Sequence, residues 1–259
     1  MNEIYRPFFN KMSKDELIDC LLKSEQLKSK YDGSISGRRL DEKYWTDILV
    51  PGLWNVYMKN RGSRSSEKTK YFHGFLQKYL EENIFSEWDG YEVFTEIRVE
   101  SHNLTGKKNS DIVIFKDGSI FLIIPIKMIM GNYKQNKYNY FENLSGELMH
   151  LVLKNPGLKI VPLNIYFAET PYLKADKTIA KFEKITYEND LKNFDIMKKW
   201  RVSLEGEECR PLVHDVINYI FDVKHVSKIG EVFDKVPINI RFNAHTPFRS
   251  LESIFKDIV

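Results

Sequence analysis

Hydrophobic residues recur with two distinct periods along the middle of the chain. In residues 67–82 and 134–153 they return at helical spacing, which predicts two amphipathic helices. Residues 91–100 instead alternate apolar and polar positions, which predicts a strand. Its faces are predicted to hold Val93, Ile97 and Val99 on one side and Glu96, Arg98 and Glu100 on the other. Three nearly continuous apolar runs, typical of strands buried on both faces, are residues 111–115, 120–127 and 158–168.

The predicted order of elements is therefore helix, strand, strand, strand, helix, strand. Asp117-Gly118 lies between the first two apolar runs and is typical of a tight hairpin turn. This order predicts an α/β fold in which a mixed β-sheet is flanked by helices. We expect three regions: a helical N-terminal arm (1–60), a core (61–170) and an α/β extension (171–259) packed on the core.

The flanking regions carry weaker patterns. Helices are predicted at residues 14–31 and 42–59, the second interrupted by Pro51-Gly52. Past residue 168, Thr170-Pro171 breaks the apolar pattern, and residues 172–208 are charged with short helical hints. The last predicted elements are a helix at 211–223, a strand at 236–242 and a closing helix at 250–259.

Composition and charge place few limits on function. Of 259 residues, 42% are hydrophobic and 29% charged, as in an ordinary globular protein. The net charge of +3 permits nucleic-acid binding without arguing for it, so a local basic patch would have to supply the attraction. Cys20 and Cys209 form neither a disulfide framework nor a zinc motif. No secretion signal and no apolar run long enough to cross a bilayer is found in the sequence, so we expect a cytoplasmic protein with no membrane partner.

Two residues at the ends of successive predicted strands suggest metal chemistry. Asn109-Ser110-Asp111 opens one strand, and Pro125-Ile126-Lys127 closes the next. Phosphodiester hydrolysis needs a divalent cation, and Mg²⁺ prefers carboxylate oxygens. A lysine near such a site can orient the attacking water or stabilise the charge that develops on phosphorus. Each residue also has a structural interpretation, Asp111 as a turn residue and Lys127 as a solvated strand end.

The order of elements, together with Asp111 and Lys127, resembles the PD-(D/E)xK nuclease superfamily, over roughly 100 of the 259 residues. The resemblance implies a restriction-endonuclease-like core and a DNA endonuclease dependent on Mg²⁺ or Mn²⁺. By analogy, Asp111 and the carbonyl of Ile126 would be metal ligands, and Lys127 would act on the attacking water. The implied partner is nucleic acid, expected to be double-stranded DNA, and a homodimer is possible, as for whole-chain restriction enzymes of this size.

Pro125 stands where the family places its second acid, and this leaves two interpretations open. In the first, the acid has moved to the preceding strand or to the following helix, as in some members of the superfamily. The candidates are Glu96, Glu100 and Glu142, with Glu147 on the same helix as Glu142. In the second, the fold is retained without catalysis, and the protein binds nucleic acid or a protein partner.

Basic residues supply the candidate phosphate contacts, which gain from counterion release. The segment 59–70 is rich in them and is predicted to be a solvated loop. The candidates there and elsewhere are Arg61, Arg64, Lys68, Lys70, Lys107, Lys108 and Lys134. The six histidines show no metal-ligand spacing, so surface or core roles are expected for them.

Overall fold

The computed structural model describes residues 66–86, 88–155, 157–186, 189–190, 192, 194–203, 209–225, 228–232, 238–241 and 251–258. The helices predicted at 14–31 and 42–59, and Arg61 and Arg64, lie outside these residues. Lys68 and Lys70 fall on the first described helix, which begins at Ser66, and not in the predicted loop. No helix among the described residues has the length and apolar character needed to cross a membrane.

The central elements follow the order predicted from the sequence. They are α1 (Ser66–Asn83), β1 (Tyr91–Glu100), β2 (Lys107–Lys116), β3 (Ser119–Ile124), β4 (Ile126–Ile129), α2 (Tyr133–Lys154), β5 (Lys159–Ile160) and β6 (Leu163–Phe167). The order is confirmed, but two predicted strands are each divided at a proline. The hairpin turn is confirmed as well, because Asp117 and Gly118 both have the left-handed backbone that such turns require.

Proline divides the sheet because it has no N–H to donate to a ladder. Strands β1, β2 and β3 are antiparallel, with β5 parallel to β3, whereas β4 belongs to a second sheet, in which it pairs in parallel with β6. Backbone hydrogen bonds continue past Pro125 and Pro162, from Val161 N–H to the Ile123 carbonyl (3.0 Å) and from Leu163 N–H to the Pro125 carbonyl (2.8 Å). The two sheets therefore meet edge to edge as one mixed surface.

Two helical layers cover this surface. Phe72, Leu76 and Leu80 of α1 pack in one apolar cluster with strand residues such as Ile112 and Ile114. The opposite face packs against α2, whose buried residues are Tyr133, Leu144, Leu148, Leu151 and Val152. The sheet thus lies between α1 and α2, and a side chain near its centre can meet groups from both helices.

The C-terminal part differs most from its prediction. It comprises β7 (Glu169–Leu173), β8 (Ile179–Lys184), a 3-10 helix (Phe194–Lys199), β9 (Arg201–Val202), β10 (Arg210–Pro211), β11 (Ile217–His225), β12 (Ile238–Arg241) and α3 (Leu251–Ile258). The helix predicted at 211–223 is wrong, because Ile217–Phe221 pair in parallel with β6. Thr170-Pro171 lies inside β7 and does not end the sheet structure. The strand β12 and the closing helix are confirmed.

Asn132 fixes the start of α2 against the β7–β8 hairpin. Its N–H donates to the Pro171 carbonyl (2.9 Å), and its side-chain oxygen accepts from Leu173 N–H (2.8 Å). Its φ of 49° is left-handed, a conformation that asparagine tolerates better than most residues. The Glu183 carboxylate of β8 accepts a hydrogen bond from the backbone N–H of Lys134, the second residue of α2 (3.2 Å). The hairpin therefore sets the position of α2.

We expect Asn132→Ala to lower the free energy of unfolding by about 2 kcal/mol, since it removes a hydrogen bond and strains a left-handed residue. Asn132→Gly removes the same bond without the strain and should cost about 1 kcal/mol. Urea denaturation of both variants measures the difference. Equal losses would show that the left-handed backbone adds nothing to the cost.

Candidate metal centre

Three possible ligands converge at the centre of the sheet. One nitrogen of His73, one oxygen of Glu96 and one oxygen of Asp111 lie within 4.8 Å of one another. They come from α1, β1 and β2, respectively. His73 is buried, and its Nδ1 lies 2.6 Å from Glu96 Oε1, so the two groups form a short hydrogen bond. Elements distant in the sequence therefore assemble a compact set of one imidazole and two carboxylates.

Asp111 lies where β2 and the strand beyond Pro125 separate. The pairing of β2 with β3 ends at Ile112 and Ile124, and the next hydrogen bond uses a side chain: Ile126 N–H donates to Asp111 Oδ2 at 2.6 Å. The N–H and C=O of one strand residue point to the same neighbour. This geometry places the Ile126 carbonyl on the side of Asp111, as expected for a fourth ligand and third oxygen of the set.

Burial is the largest influence on the electrostatics of Asp111. Burial raises the pKa of its carboxyl above the ordinary value. The charge of His73, the Ile126 hydrogen bond and the charge of Lys127 lower this pKa, and the charge of Glu147 raises it. Because a bound cation favours the ionised form, metal binding would offset the effect of burial.

Glu96 has an unusual backbone for a strand residue. Its φ is 56°, in the left-handed region, and it lies opposite Asp111 between the pairs Thr95–Ile112 and Ile97–Ser110. The alternation of faces changes across it: Val93 packs on the α1 side, whereas Ile97 and Val99 pack on the α2 side. The prediction that these three share a face is wrong, since the left-handed residue resets the alternation.

Lys127 is held on the α2 side of the same place. Its Nζ lies 3.1 Å from Glu147 Oε2, and the Nζ of Lys108 lies 3.3 Å from the same oxygen. Lys127 also contributes its charge to Asp111. Asp111 and Lys127 therefore converge, although Lys127 lies on β4, which pairs with β6 and not with β2.

Other candidates from the sequence lie elsewhere. Glu100 is 64% exposed near the end of β1, faces Lys154 of α2 at 3.8 Å and lies outside the cluster. Glu142 is exposed on α2 and lies outside the cluster. Among the basic candidates, Lys70, Lys107 and Lys134 are exposed, and Lys108 is half-buried beside Glu147.

Sequence reasoning did not select His73 and named Glu147 only as an acid on the same helix as Glu142, although both left a signal. His73 precedes Leu76 and Leu80 by three and seven residues, which puts a polar residue at the edge of the apolar face of α1. Glu147 lies three residues after Leu144 and four before Leu151 on the apolar face of α2. A titratable residue on a buried face needs a partner, and these partners are in the site.

Comparison of the chain with protein-family models and with curated proteins finds no match. The chemistry of the site is therefore argued from its own donor set. Carboxylate and carbonyl oxygens suit Mg²⁺ or Mn²⁺, and an imidazole nitrogen shifts the preference toward the transition metal. The residues fit a divalent cation, and binding it would displace the proton of the hydrogen bond between His73 and Glu96.

The left-handed backbone of Glu96 predicts a reversal between glycine and alanine. Glu96→Gly should be more stable than Glu96→Ala by about 1 kcal/mol, because only glycine adopts this backbone without strain. At the exposed Arg98 on the same strand, Gly should be less stable than Ala by about 1 kcal/mol. Thermal unfolding of the four variants measures this difference. If Gly and Ala had the same order of stability at both positions, the left-handed backbone of Glu96 would be contradicted.

Asp111 predicts an inverse pH dependence of stability. Its raised pKa means that the folded protein holds this proton more tightly than the unfolded chain does. Its contribution to stability is therefore present at low pH and lost as the pH rises through that pKa. Asp111→Asn should be stabilised relative to wild type at about pH 7 and less so at about pH 4.

Thermal unfolding at both pH values measures the effect, with Glu92→Gln as the control, because Glu92 is exposed on β1. Added Mn²⁺ should stabilise the wild type at about pH 7 and leave Asp111→Asn unchanged. If Asp111→Asn were less stable than wild type at both pH values, this account of Asp111 would be refuted.

Proposed function

We propose that this protein is a divalent-metal-dependent nuclease built on a core of the PD-(D/E)xK, restriction-endonuclease-like type. One observation carries the proposal: His73, Glu96 and Asp111 converge beside Lys127 where the sheet separates. The observed order of helices and strands supports it, since a mixed sheet lies between the helix that precedes it and the helix that crosses over it.

The residues of the site have separate roles in phosphodiester hydrolysis. His73, Glu96, Asp111 and the Ile126 carbonyl would hold the cation, which supplies Lewis acidity and activates a bound water. In the reaction, the water loses a proton to the solvent and its oxygen adds to phosphorus, the bond from phosphorus to the leaving oxygen breaks, and the leaving oxygen takes up a proton from the solvent. Lys127 brings positive charge to the developing phosphorane from the side opposite α1.

The proposed substrate is nucleic acid, with duplex DNA as the first candidate. Basic side chains lie next to the cluster along β1 and β2: Arg98 and Lys107 are exposed, and Lys108 is partly exposed. Because strand residues rise about 3.3 Å each, these cations lie within roughly three or four residues of Asp111 and can contact phosphates flanking the cleaved bond.

A second candidate function is binding of nucleic acid without cleavage, and Pro125 favours it. Position 125 carries no carboxylate, so the family's second acid is missing. Glu96 lies opposite Asp111 and contributes an oxygen to the cluster, so it can take the place of that acid. We therefore prefer the active nuclease.

Cleavage of labelled duplex DNA, single-stranded DNA and RNA tests the proposal directly. We expect cleavage only with a divalent metal, and we expect Mn²⁺ to bind more tightly than Mg²⁺ by calorimetry. Asp111→Asn, Glu96→Gln and His73→Asn should each reduce the rate by about 100-fold or more. Glu92→Gln, the same acid-to-amide change away from the cluster, should not.

The outcomes separate the two candidates. Tight nucleic-acid binding with no cleavage in any metal would favour the binding protein. Cleavage that survives chelation, or that is unaffected by Asp111→Asn, would refute the metal nuclease.

A further inference from the structure

The carboxylate of Glu147 connects the two strands that separate at the candidate site. It projects from α2 with its side chain only 7% exposed, and one oxygen, Oε2, contacts both Lys127 of β4 and Lys108 of β2. The buried neighbours Leu144, Leu148 and Leu151 hold this face of α2 against the sheet. The carboxylate is therefore fixed by the helix, whereas the two lysines reach it on flexible side chains.

A buried carboxylate is costly unless cations pair with it, so this arrangement requires both lysines or a substitute for them. The lysines approach from opposite sides of the opening between β2 and β4. Two ammonium groups so close together repel each other without the negative charge between them. Glu147 is thus the group that allows Lys127 to stay beside Asp111.

Glu147 is not one of the converging ligands of the candidate site. His73 reaches the site from α1, on the other face of the sheet, and the three-residue cluster of possible ligands does not include Glu147. Its Oε2 already accepts from two ammonium groups. These contacts make it a partner of lysine and not a third carboxylate for the cation.

We propose that Glu147 is a positioning residue, which holds the ammonium group of Lys127 at the site. The inference rests on the proposed nuclease function. Two residues would then replace the acid that is missing at position 125: Glu96 would bind the metal, and Glu147 would position Lys127.

The test compares Glu147→Gln with wild type in kcat, KM and Mn²⁺ affinity. We expect kcat to fall about 10- to 100-fold while KM and Mn²⁺ affinity stay close to wild type, because Lys127 would then face Lys108 without a carboxylate between them and would move away from the site.

Two further variants sharpen the comparison. Adding Lys108→Met to Glu147→Gln removes the repelling ammonium and should restore part of kcat, which a purely structural role for Glu147 would not produce. Glu147→Asp keeps the charge and should lie between wild type and Glu147→Gln. It also serves as the readout if Glu147→Gln does not fold. Glu92→Gln is the matched control.

A second readout does not require cleavage. Competitive acetylation followed by mass spectrometry should find Lys127 more reactive in Glu147→Gln than in wild type, with the exposed Lys177 unchanged. A loss of Mn²⁺ affinity equal to that of Asp111→Asn would make Glu147 a ligand and overturn the inference. Unchanged kcat or unchanged Lys127 reactivity would overturn it as well. If the wild type cleaves nothing, both the nuclease proposal and the role of Glu147 in catalysis are refuted. Faster acetylation of Lys127 in Glu147→Gln would then show only that Glu147 and Lys127 form a structural ion pair.

Discussion

The site depends on the hydrogen bond from Ile126 N–H to the side chain of Asp111, which follows the break in the sheet at Pro125. Pro125 has no N–H to donate toward β5, and the chain continues beyond it as β4 beside β6. On the other side of the chain, the pairing of β2 with β3 ends at Ile112 and Ile124, and Asp111 Oδ2 accepts the next hydrogen bond. This bond orients the carboxylate that lies at the opening between β2 and β4.

Each layer of the fold contributes ionisable side chains at this opening. Helix α1 supplies His73, the strands supply Glu96 and Asp111, and α2 supplies Glu147 to hold the lysines. Several of these features are unfavourable by themselves: a left-handed strand residue, a buried carboxylate with a raised pKa, and a buried acid between two ammonium groups. Strain and burial of this kind persist where the surrounding structure enforces them, and they are concentrated at functional sites.

The sequence predicted what periodicity encodes. The α-β-β-β-α-β order, the Asp117-Gly118 turn, and the pairing of Asp111 with Lys127 as candidates all followed from local patterns. The segment 211–223 was misread because Leu212, Val213, Val216, Ile217 and Ile220 fit a helical face, whereas the adjacent β6 determines its structure as a parallel strand. Tertiary pairing of this kind leaves little local trace.

Two features of the site could not be read from the sequence at all. The left-handed backbone of Glu96 has no compositional signal, so the change of face along β1 was missed. His73 shows no spacing to a second ligand, because its partners lie on strands that follow it at different distances along the chain. Convergence of this kind is a property of the folded sheet.

The most direct measurement is anomalous diffraction from crystals soaked in Mn²⁺. The account predicts one strong peak about 2 Å from a nitrogen of His73 and from oxygens of Glu96 and Asp111, and no such peak in Asp111→Asn. A peak bound elsewhere, or none at these residues at saturating Mn²⁺, would contradict the assignment of this opening in the sheet as a metal centre.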